Sequence, residues 1–356
     1  MSRKRILIPA IVVVILAALL WLQFNTWRRF DWSAFADATS RVTEWRGIWH
    51  LLVAVALIYF TYWLRAVRWK VFLRPVCHAR LSRLTPAQYI GFTGLALLGR
   101  PGELIRPYLI ARKENLSFSS QIAVWTVERI FDIGAFAILV CLDVFTAGYF
   151  GQRLPHLGAL YRGGFILVAL VVVMGLGAWA VRRHGQTVAR WLERLKPLSP
   201  RMNESICRKI RAFGEGLNTI HDGISFVQLA GVSLAIWFTI ALAYRFVLHA
   251  YPQPALRHMH VPQVLLLMAS SIIGSLIQLP AIGGGSQLAV ISMLSSVEWF
   301  AVPHELAVSA GMLLWLVTFM AVIPAGLILA HREHVSLRRL SEASETIADQ
   351  AVEAPG

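Results

Sequence analysis

Residues Val264 to Phe300 read VLLLMASSIIGSLIQLPAIGGGSQLAVISMLSSVEWF, an apolar stretch that is too long for one membrane-spanning helix. Pro280 and the triplet Gly283-Gly284-Gly285 interrupt it near its middle. A second apolar stretch, Tyr89 to Gly102, is too short to cross a bilayer, since crossing takes about 20 residues. Broken helices are tolerated at membrane depth only where protein or a water-filled cavity surrounds them. The two stretches predict re-entrant helical hairpins in a polytopic, all-α membrane protein.

The composition also indicates a membrane protein. The chain has 356 residues, of which 57% are hydrophobic and 15% charged, and its formal net charge is +15. Soluble domains carry about 25% charged residues, so the composition excludes a soluble globular protein. In a soluble protein this charge would suggest nucleic acid, but here apolar runs separate the basic clusters. The charge therefore indicates orientation in a membrane, with lipids rather than nucleic acid as partners.

Six apolar runs are long enough to cross about 30 Å of hydrocarbon at about 1.5 Å per residue. They are Ile6 to Phe24, Gly47 to Leu64, Ser119 to Phe145, Gly163 to Val181, Phe226 to Tyr251 and Glu305 to Ala330. Arg3, Lys4 and Arg5 precede the first run, which is longer than a signal-peptide core and has no small-residue cleavage site after it. We therefore expect six full transmembrane helices, the first of them uncleaved, plus the two hairpins.

Basic residues orient the chain, because short cytoplasmic loops retain Lys and Arg. Ten lie in Arg65 to Phe118, nine in Arg182 to Ser225 and three after Ala330, against four, two and one in the alternate loops. We therefore expect a multi-pass protein of the bacterial inner membrane with both termini in the cytoplasm. Residues 182–225 are expected to form a basic amphipathic loop on the cytoplasmic leaflet, and residues 335–356 a disordered tail.

The order of the predicted elements repeats along the chain. Span, span, broken segment and span begin near residues 6, 47, 84 and 119, and again near 163, 226, 263 and 305. The single membrane domain, 1–356, thus divides into repeats over about 6–147 and 163–330. Three full spans separate corresponding elements, so the second repeat is inverted and its hairpin enters from outside. Such repeats are typical of transporters, although any polytopic protein can be cut into similar halves.

The first break is rich in charge. It reads Leu98-Gly99-Arg100-Pro101-Gly102-Glu103-Leu104-Ile105-Arg106-Pro107. The guanidinium groups of Arg100 and Arg106, beside free backbone groups at Gly102 and next to Glu103, suit a phosphate or a carboxylate. A cytoplasmic turn whose arginines reach to the interface is an equally good interpretation.

Three charged residues, Glu128, Arg129 and Asp132, lie inside the third predicted span. The two acids share one helix face at i and i+4, and Arg129 can pair with Asp132 at i+3. They lie roughly 9 and 15 Å into the membrane, where an unpaired charge costs at least ~2.5 kcal/mol. We therefore expect them to face the protein interior with Arg100 or Arg106 as a partner, as a functional site or as a structural ion-pair lock.

The second break is uncharged. Gly283, Gly284 and Gly285, followed by Ser286 and Gln287, open a helix whose amide groups suit an anion or let a lipid approach the backbone. A turn at a close helix contact is equally compatible with this sequence.

The cysteines do not form a recognisable site. Cys77, Cys141 and Cys207 lie far apart and lack the spacing of metal ligands. We therefore expect neither a disulfide nor a metal, and no feature of the sequence calls for a cofactor.

Taken together, the motifs resemble a known family. Gly99-Arg100-Pro101-Gly102-Glu103 with Arg106-Pro107, then Glu128-Arg129 with Asp132, then Pro280 and the triple glycine, resemble the membrane flippase domain of lysylphosphatidylglycerol synthases and its stand-alone relatives. The resemblance extends over roughly Leu84 to Ala330 and implies movement of lipids between leaflets. No soluble aminoacyltransferase domain is expected here. Pro101 replaces a small residue, and Ser286-Gln287 replace an acid often found in relatives, which leaves room for a different substrate.

The resulting expectation is a flippase or transporter of an anionic or phosphate-bearing lipid. The expected substrate-binding residues are Arg100, Gly102, Glu103, Arg106, Glu128, Arg129, Asp132, Gly283, Gly284, Gly285 and Gln287. One alternative is a membrane enzyme acting on a lipid headgroup, with Glu128 or Asp132 as general base. Another is a scaffold that binds a lipid-synthesis enzyme. No constellation of catalytic residues is recognisable in the sequence, which favours a non-enzymatic function, and the oligomeric state is left open.

Overall fold

A computed structural model describes residues 31–149, 223–275, 278–279 and 283–333, with isolated helical positions between 165 and 176. The elements of this part are, in chain order, α1 (Trp32–Val42), α2 (Trp45–Leu73), α3 (Leu81–Leu98), a 3-10 turn (Arg100–Leu104), α4 (Ile105–Lys113), α5 (Phe118–Tyr149), α6 (Gly223–His249), α7 (Pro254–Arg257), α8 (Val261–Gly274), β1 (Gln278–Leu279), β2 (Gly283–Gly284), α9 (Gly285–Ser295), α10 (His304–Trp315), a π-helical segment (Leu316–Met320) and α11 (Val322–Arg332).

Three helices of the described chain are long and apolar enough to cross a membrane. They are α2, α6 and the continuous helix from α10 to α11. Helix α5 has 32 residues and so extends about 48 Å, but charged residues occupy its first half. The predicted spans at 47–64, 119–145, 226–251 and 305–330 are therefore helical. The predicted span at 6–24, most of that at 163–181, the loop at 182–225 and the tail at 335–356 lie outside the described residues.

Helix α2 is longer than the sequence predicted. The predicted span ended at Leu64 because Arg65 follows it, yet the helix continues to Leu73. Arg65 and Arg68 are only 7% and 0% exposed, so they belong to the protein interior rather than to a cytoplasmic loop. Apolar residues continue on the same turns, and Trp69 and Phe72 are fully buried there.

The first hairpin, residues 81–113, consists of α3, the 3-10 turn and α4. The chain reverses at Gly99, whose φ of 70° is a conformation that glycine adopts at little cost. The two legs approach so closely that a Cβ atom at Gly91 would lie 2.5 Å from Cβ of Arg106. Gly102 lies in the same way against the backbone of Gly94. Small residues therefore hold the break together and fix the position of Arg106.

The second hairpin, residues 261–295, consists of α8, β1, β2 and α9. The strands form a two-residue antiparallel ladder, with Gln278 opposite Gly284 and Leu279 opposite Gly283. Apart from this short ladder the described chain is helical, as expected. The ladder forms because backbone groups freed at a break inside a membrane must find partners, and here they pair with each other. A Cβ atom at Gly274 would collide with the carbonyl oxygen of Gly285, so the legs meet at glycine here as well.

The core forms two hydrophobic layers. One contains Trp69, Leu84, Ile105, Val124 and Leu229, around the ends of α2, α5 and α6 that lie next to the first hairpin. The other contains Tyr62, Tyr244, Met268, Val290 and Leu306, around the second hairpin and α10. Charged side chains of α2, α4 and α5 meet between the layers, which places a polar site in the interior of the protein.

Candidate functional site

The site is built on two carboxylates of α5. Glu128 and Asp132 are 0% and 3% exposed and lie one helical turn apart on the face that contacts α2 and α6. Glu128 lies ten residues after the start of the helix, or about 15 Å along it. Charged side chains inside a membrane protein are stable only when they are paired, and both acids are multiply paired here.

Arg68 of α2 joins the two carboxylates. Its Nη1 donates to Oδ1 of Asp132 at 2.7 Å and to the hydroxyl of Ser233 on α6 at 2.9 Å. Its Nη2 donates to Oε1 of Glu128. The indole of Trp237 adds a further donor to Asp132 at 3.2 Å. One fully buried guanidinium therefore ties α2, α5 and α6 together.

Arg106 of the first hairpin binds Glu128 through two parallel hydrogen bonds. Nη1 donates to Oε1 at 3.0 Å, and Nη2 donates to Oε2. Nη1 also donates to the side-chain carbonyl of Gln88 at 3.2 Å, and the guanidinium lies 4.7 Å from the ring centre of Trp69. A planar fork is the geometry that suits a carboxylate best, so Arg106 anchors the hairpin to α5.

Two further arginines surround the acids more loosely. Arg129 approaches Asp132 at 3.3 Å and Glu128 at 3.7 Å. Arg65 lies 3.6 Å from Asp132 and 3.8 Å from Glu128, and its Nε and Nη1 have no hydrogen-bond partner in the described chain. Four guanidinium groups therefore face two carboxylates, an excess of two positive charges that the nearby Glu103, which interacts with Arg129, reduces without cancelling.

A cavity of about 160 Å³ lies next to Arg65. It is a partly open cavity lined by α2, α3, α6, α8 and the π-helical segment, an irregularity that is frequent at functional sites. Apart from Arg65, its polar lining in the described chain consists mainly of hydroxyl groups, contributed by Thr61, Tyr62, Tyr244, Ser271, Ser275 and Thr318. The cavity therefore combines one cation with uncharged polar groups and apolar walls.

A smaller cavity of about 20 Å³ is lined by Glu103, Arg106 and Arg129 together with residues of α3. The ring of Phe92 lines both cavities. It lies between two cations, with its centre 4.9 Å from the Arg65 guanidinium and 5.0 Å from that of Arg106. Phe92 thus separates two small polar spaces that share the charge cluster.

Comparison with known proteins identifies the family. The profile of the family described as "Lysylphosphatidylglycerol synthase TM region" matches residues 8–326. The chain belongs to this family. A glycosyltransferase, AglD of Haloferax volcanii, is 31% identical over 134 residues, which cover 37% of this chain and only 20% of that protein. No solved structure shows significant similarity to the chain. Family membership confirms the resemblance seen in the sequence and, with the apolar helices, shows a membrane protein.

In this member of the lysylphosphatidylglycerol synthase membrane family, four of the predicted site residues lie together. They are Arg106, Glu128, Arg129 and Asp132. Glu103 lies at the edge of the cluster. Gly102 packs against the backbone of Gly94 within the first hairpin. The side chain of Arg100 lies outside what the structure describes. Gly283, Gly284, Gly285 and Gln287 belong to the second hairpin, and no described hydrogen bond or ion pair joins them to the cluster.

Sequence reasoning missed Arg65 and Arg68, which it counted among cytoplasmic residues. Their spacing of three residues puts them on one helix face, and the apolar residues after Leu64 continue the helical pattern. Two carboxylates inside a span also require more than one cation, which was a second signal. Gln88, Ser233 and Trp237 carried no signal in the sequence, because uncharged polar residues are common in membrane helices.

Proposed function

We propose that the chain moves an anionic, phosphate-bearing lipid between the leaflets of a membrane. The observation that carries this proposal is the excess of guanidinium groups over carboxylates in the buried cluster, beside a cavity that Arg65 lines. An excess positive charge in a low-dielectric interior is costly unless an anion accompanies it. Lipid phosphate is an anion that reaches this depth, and guanidinium groups bind it well.

The proposal includes six full transmembrane helices and an inverted repeat, with both termini in the cytoplasm of a bacterium. Its support is the presence of two helical hairpins, each closed by a contact at glycine and each next to the central pair α2 and α6. In an inverted repeat the hairpins enter from opposite sides and their breaks approach one site near the midplane. The cavity lies between α3 of the first hairpin and α8 of the second, as this arrangement requires.

We further place the chain in the biosynthesis of lipids or of the cell envelope. The family takes its name from a lipid synthase, and the relative AglD is named as a glycosyltransferase. The first name describes the membrane region of a synthase, and the match to AglD covers one fifth of that protein. A role beside a lipid-synthesis enzyme as partner therefore fits the proposal.

An enzymatic function has weaker support in the geometry. A general base must accept a proton from its substrate, whereas Glu128 accepts hydrogen bonds from Arg68 and Arg106. Asp132 accepts from Arg68 and Trp237. Both acids are therefore occupied as partners of cations.

The direct test is reconstitution into vesicles of phosphatidylcholine with a trace of fluorescent phosphatidylglycerol. Movement between leaflets is measured as the fraction of label that an impermeant quencher reaches. We expect movement that protein-free vesicles lack, and a slower rate for Asp132→Asn, which removes one charge and keeps the shape. Protein-free and protein-containing vesicles with equal rates would contradict the proposal. If Asp132→Asn moves the lipid at the full rate but has a lower melting temperature, the cluster is only a structural ion-pair lock.

A further inference from the structure

We infer that the cavity beside Arg65 is a headgroup site for a lipid whose phosphate carries a neutral, hydroxylated substituent and no amine. The inference rests on the proposed function and names the substrate class within it. Phosphatidylglycerol and lipids with an inositol or sugar on the phosphate have this chemistry. Phosphatidylethanolamine and lysylphosphatidylglycerol do not, because each carries at least one ammonium group.

Arg65 is the group that would hold the phosphate. The terminal nitrogens of Arg68 and Arg106 already donate hydrogen bonds to the two carboxylates, to Ser233 and to Gln88. Arg65 makes only long ion pairs, at 3.6 and 3.8 Å, and lines the cavity. Its side chain is 9% exposed, so its unused donors face the protein interior rather than bulk water. An anion in the cavity would satisfy donors that the protein leaves unpaired.

The hydroxyl group of Thr61, one turn before Arg65 on α2, is arranged as an acceptor. Thr61 lines the cavity and donates its proton to the carbonyl of Ile58 at 2.7 Å. Since this proton is used within its own helix, the oxygen presents a lone pair for a further hydrogen bond. Acceptors of this kind complement the O–H donors of a polyol.

The charge of the site argues against an amine. Arg65 joins the cavity to a cluster in which four guanidinium groups exceed three carboxylates, counting Glu103, and the described lining contains no carboxylate. An ammonium group would therefore meet repulsion without a counter-ion in a region of low dielectric. A hydroxylated headgroup can form hydrogen bonds at the same positions without that repulsion.

The first experiment compares headgroups on the purified full chain in detergent and in vesicles. Binding of short-chain phosphatidylglycerol, phosphatidylethanolamine and lysylphosphatidylglycerol is measured in detergent, and movement of their fluorescent forms in phosphatidylcholine vesicles. We expect phosphatidylglycerol to bind and move about tenfold better than the other two, the scale of one charge-assisted interaction. Equal binding of all three would overturn the inference. Selective binding without any movement would overturn the proposed function and leave the headgroup site standing.

Matched variants test the two contacts separately. Arg65→Gln should weaken phosphatidylglycerol binding by about tenfold or more, whereas Arg74→Gln, at the exposed residue that caps the same helix, should not. Arg65→Lys, which keeps the charge, should lie between them and serves if the first variant fails to fold. Unchanged binding in both Arg65 variants would overturn the assignment of the phosphate.

The hydroxyl contact is tested with Thr61→Val. We expect a few-fold loss of phosphatidylglycerol binding and no loss for phosphatidic acid, which has no hydroxylated substituent. Thr239→Val is the control, because Thr239 also donates to its own helix, at 2.7 Å to Ala235, but does not line the cavity. Equal losses for both lipids would overturn the acceptor role. Inorganic phosphate that competes as well as phosphatidylglycerol would overturn the assignment to a lipid.

Discussion

The two helical hairpins have similar outlines and opposite chemistry. The first, residues 81–113, contains five basic residues and one acid, and Arg106 connects it to α5 through a bidentate ion pair. The second, residues 261–295, has no ionisable side chain at all and is held by a two-residue β-ladder and by the contact between Gly274 and Gly285. One hairpin is anchored by charge and the other by close backbone contact.

The difference in how the two hairpins are held indicates different contributions to the site. An ion pair in a low-dielectric interior fixes both the position and the orientation of its partners. Contacts among glycine and hydroxyl groups are weaker and less directional, so we expect the second hairpin to shift more easily than the first. In the cavity, the first hairpin contributes the ring of Phe92 and the second contributes the hydroxyl groups of Ser271 and Ser275.

The largest expected effect concerns the sides from which the hairpins enter, and it is all-or-none. With Cys141 and Cys207 replaced by serine, Cys77 before the first hairpin should react with an impermeant thiol reagent only from the cytoplasm. In a cysteine-free chain, Val297→Cys after the second hairpin should be accessible to the reagent, because Val297 is 87% exposed. The inverted arrangement predicts that it reacts only from outside. Right-side-out and inverted vesicles distinguish the two sides.

The pH of the labelling experiment matters for Cys77. Burial raises the pKa of its thiol, and the Glu114 carboxylate adds to the rise, so less thiolate is present at neutral pH. The rate of labelling should therefore increase as the pH is raised past about 8.5. Reaction of both positions from the same side would refute the inverted arrangement.

The anchoring of the first hairpin by charge predicts the next largest effect. Arg106→Met removes the partner that binds both oxygens of Glu128 and should lower the free energy of unfolding in detergent by about 3 kcal/mol. The control is Arg83→Met on the same hairpin. Arg83 pairs with Glu114 at 3.3 Å, but its side chain is 53% exposed, and such pairs contribute about 1 kcal/mol or less. Because Glu128 also pairs with Arg68, the pair is isolated by additivity: Arg106→Met with Glu128→Gln should cost less than the sum of the two single variants, and an additive loss would show that Arg106 acts through another partner.

The two hairpins also differ in how well the sequence predicted them. Both breaks could be located, because one apolar stretch is too short and the other too long for a single span, and each is interrupted by proline and glycine. Glu128 and Asp132 could be assigned to the interior, since a charge inside a span needs a partner. Arg65 and Arg68 could not be assigned in the same way, because a cation near the end of a span is also stable at the interface. The β-ladder was not predictable, because it satisfies backbone groups that every sequence has.

The smallest expected effect compares the closure of the two hairpins directly. Gly91→Ala would place a Cβ atom 2.5 Å from Cβ and 3.0 Å from Cα of Arg106, which forces the legs apart and pulls Arg106 from Glu128. Gly274→Ala would meet the Gly285 carbonyl and, at 2.8 Å, Cβ of Ala289, but no ion pair depends on that leg. We expect Gly91→Ala to lower the free energy of unfolding by about 2 kcal/mol and Gly274→Ala to lower it by about 1 kcal/mol, within the range for overpacking.

Gly231→Ala on α6 is the control, since nothing lies within 4 Å of its Cβ position. Helix propensity alone should raise the free energy of unfolding of this variant by up to about 1 kcal/mol. Thermal unfolding in detergent gives the ranking, and a larger loss for Gly274→Ala than for Gly91→Ala would show that the uncharged hairpin is the more rigid of the two.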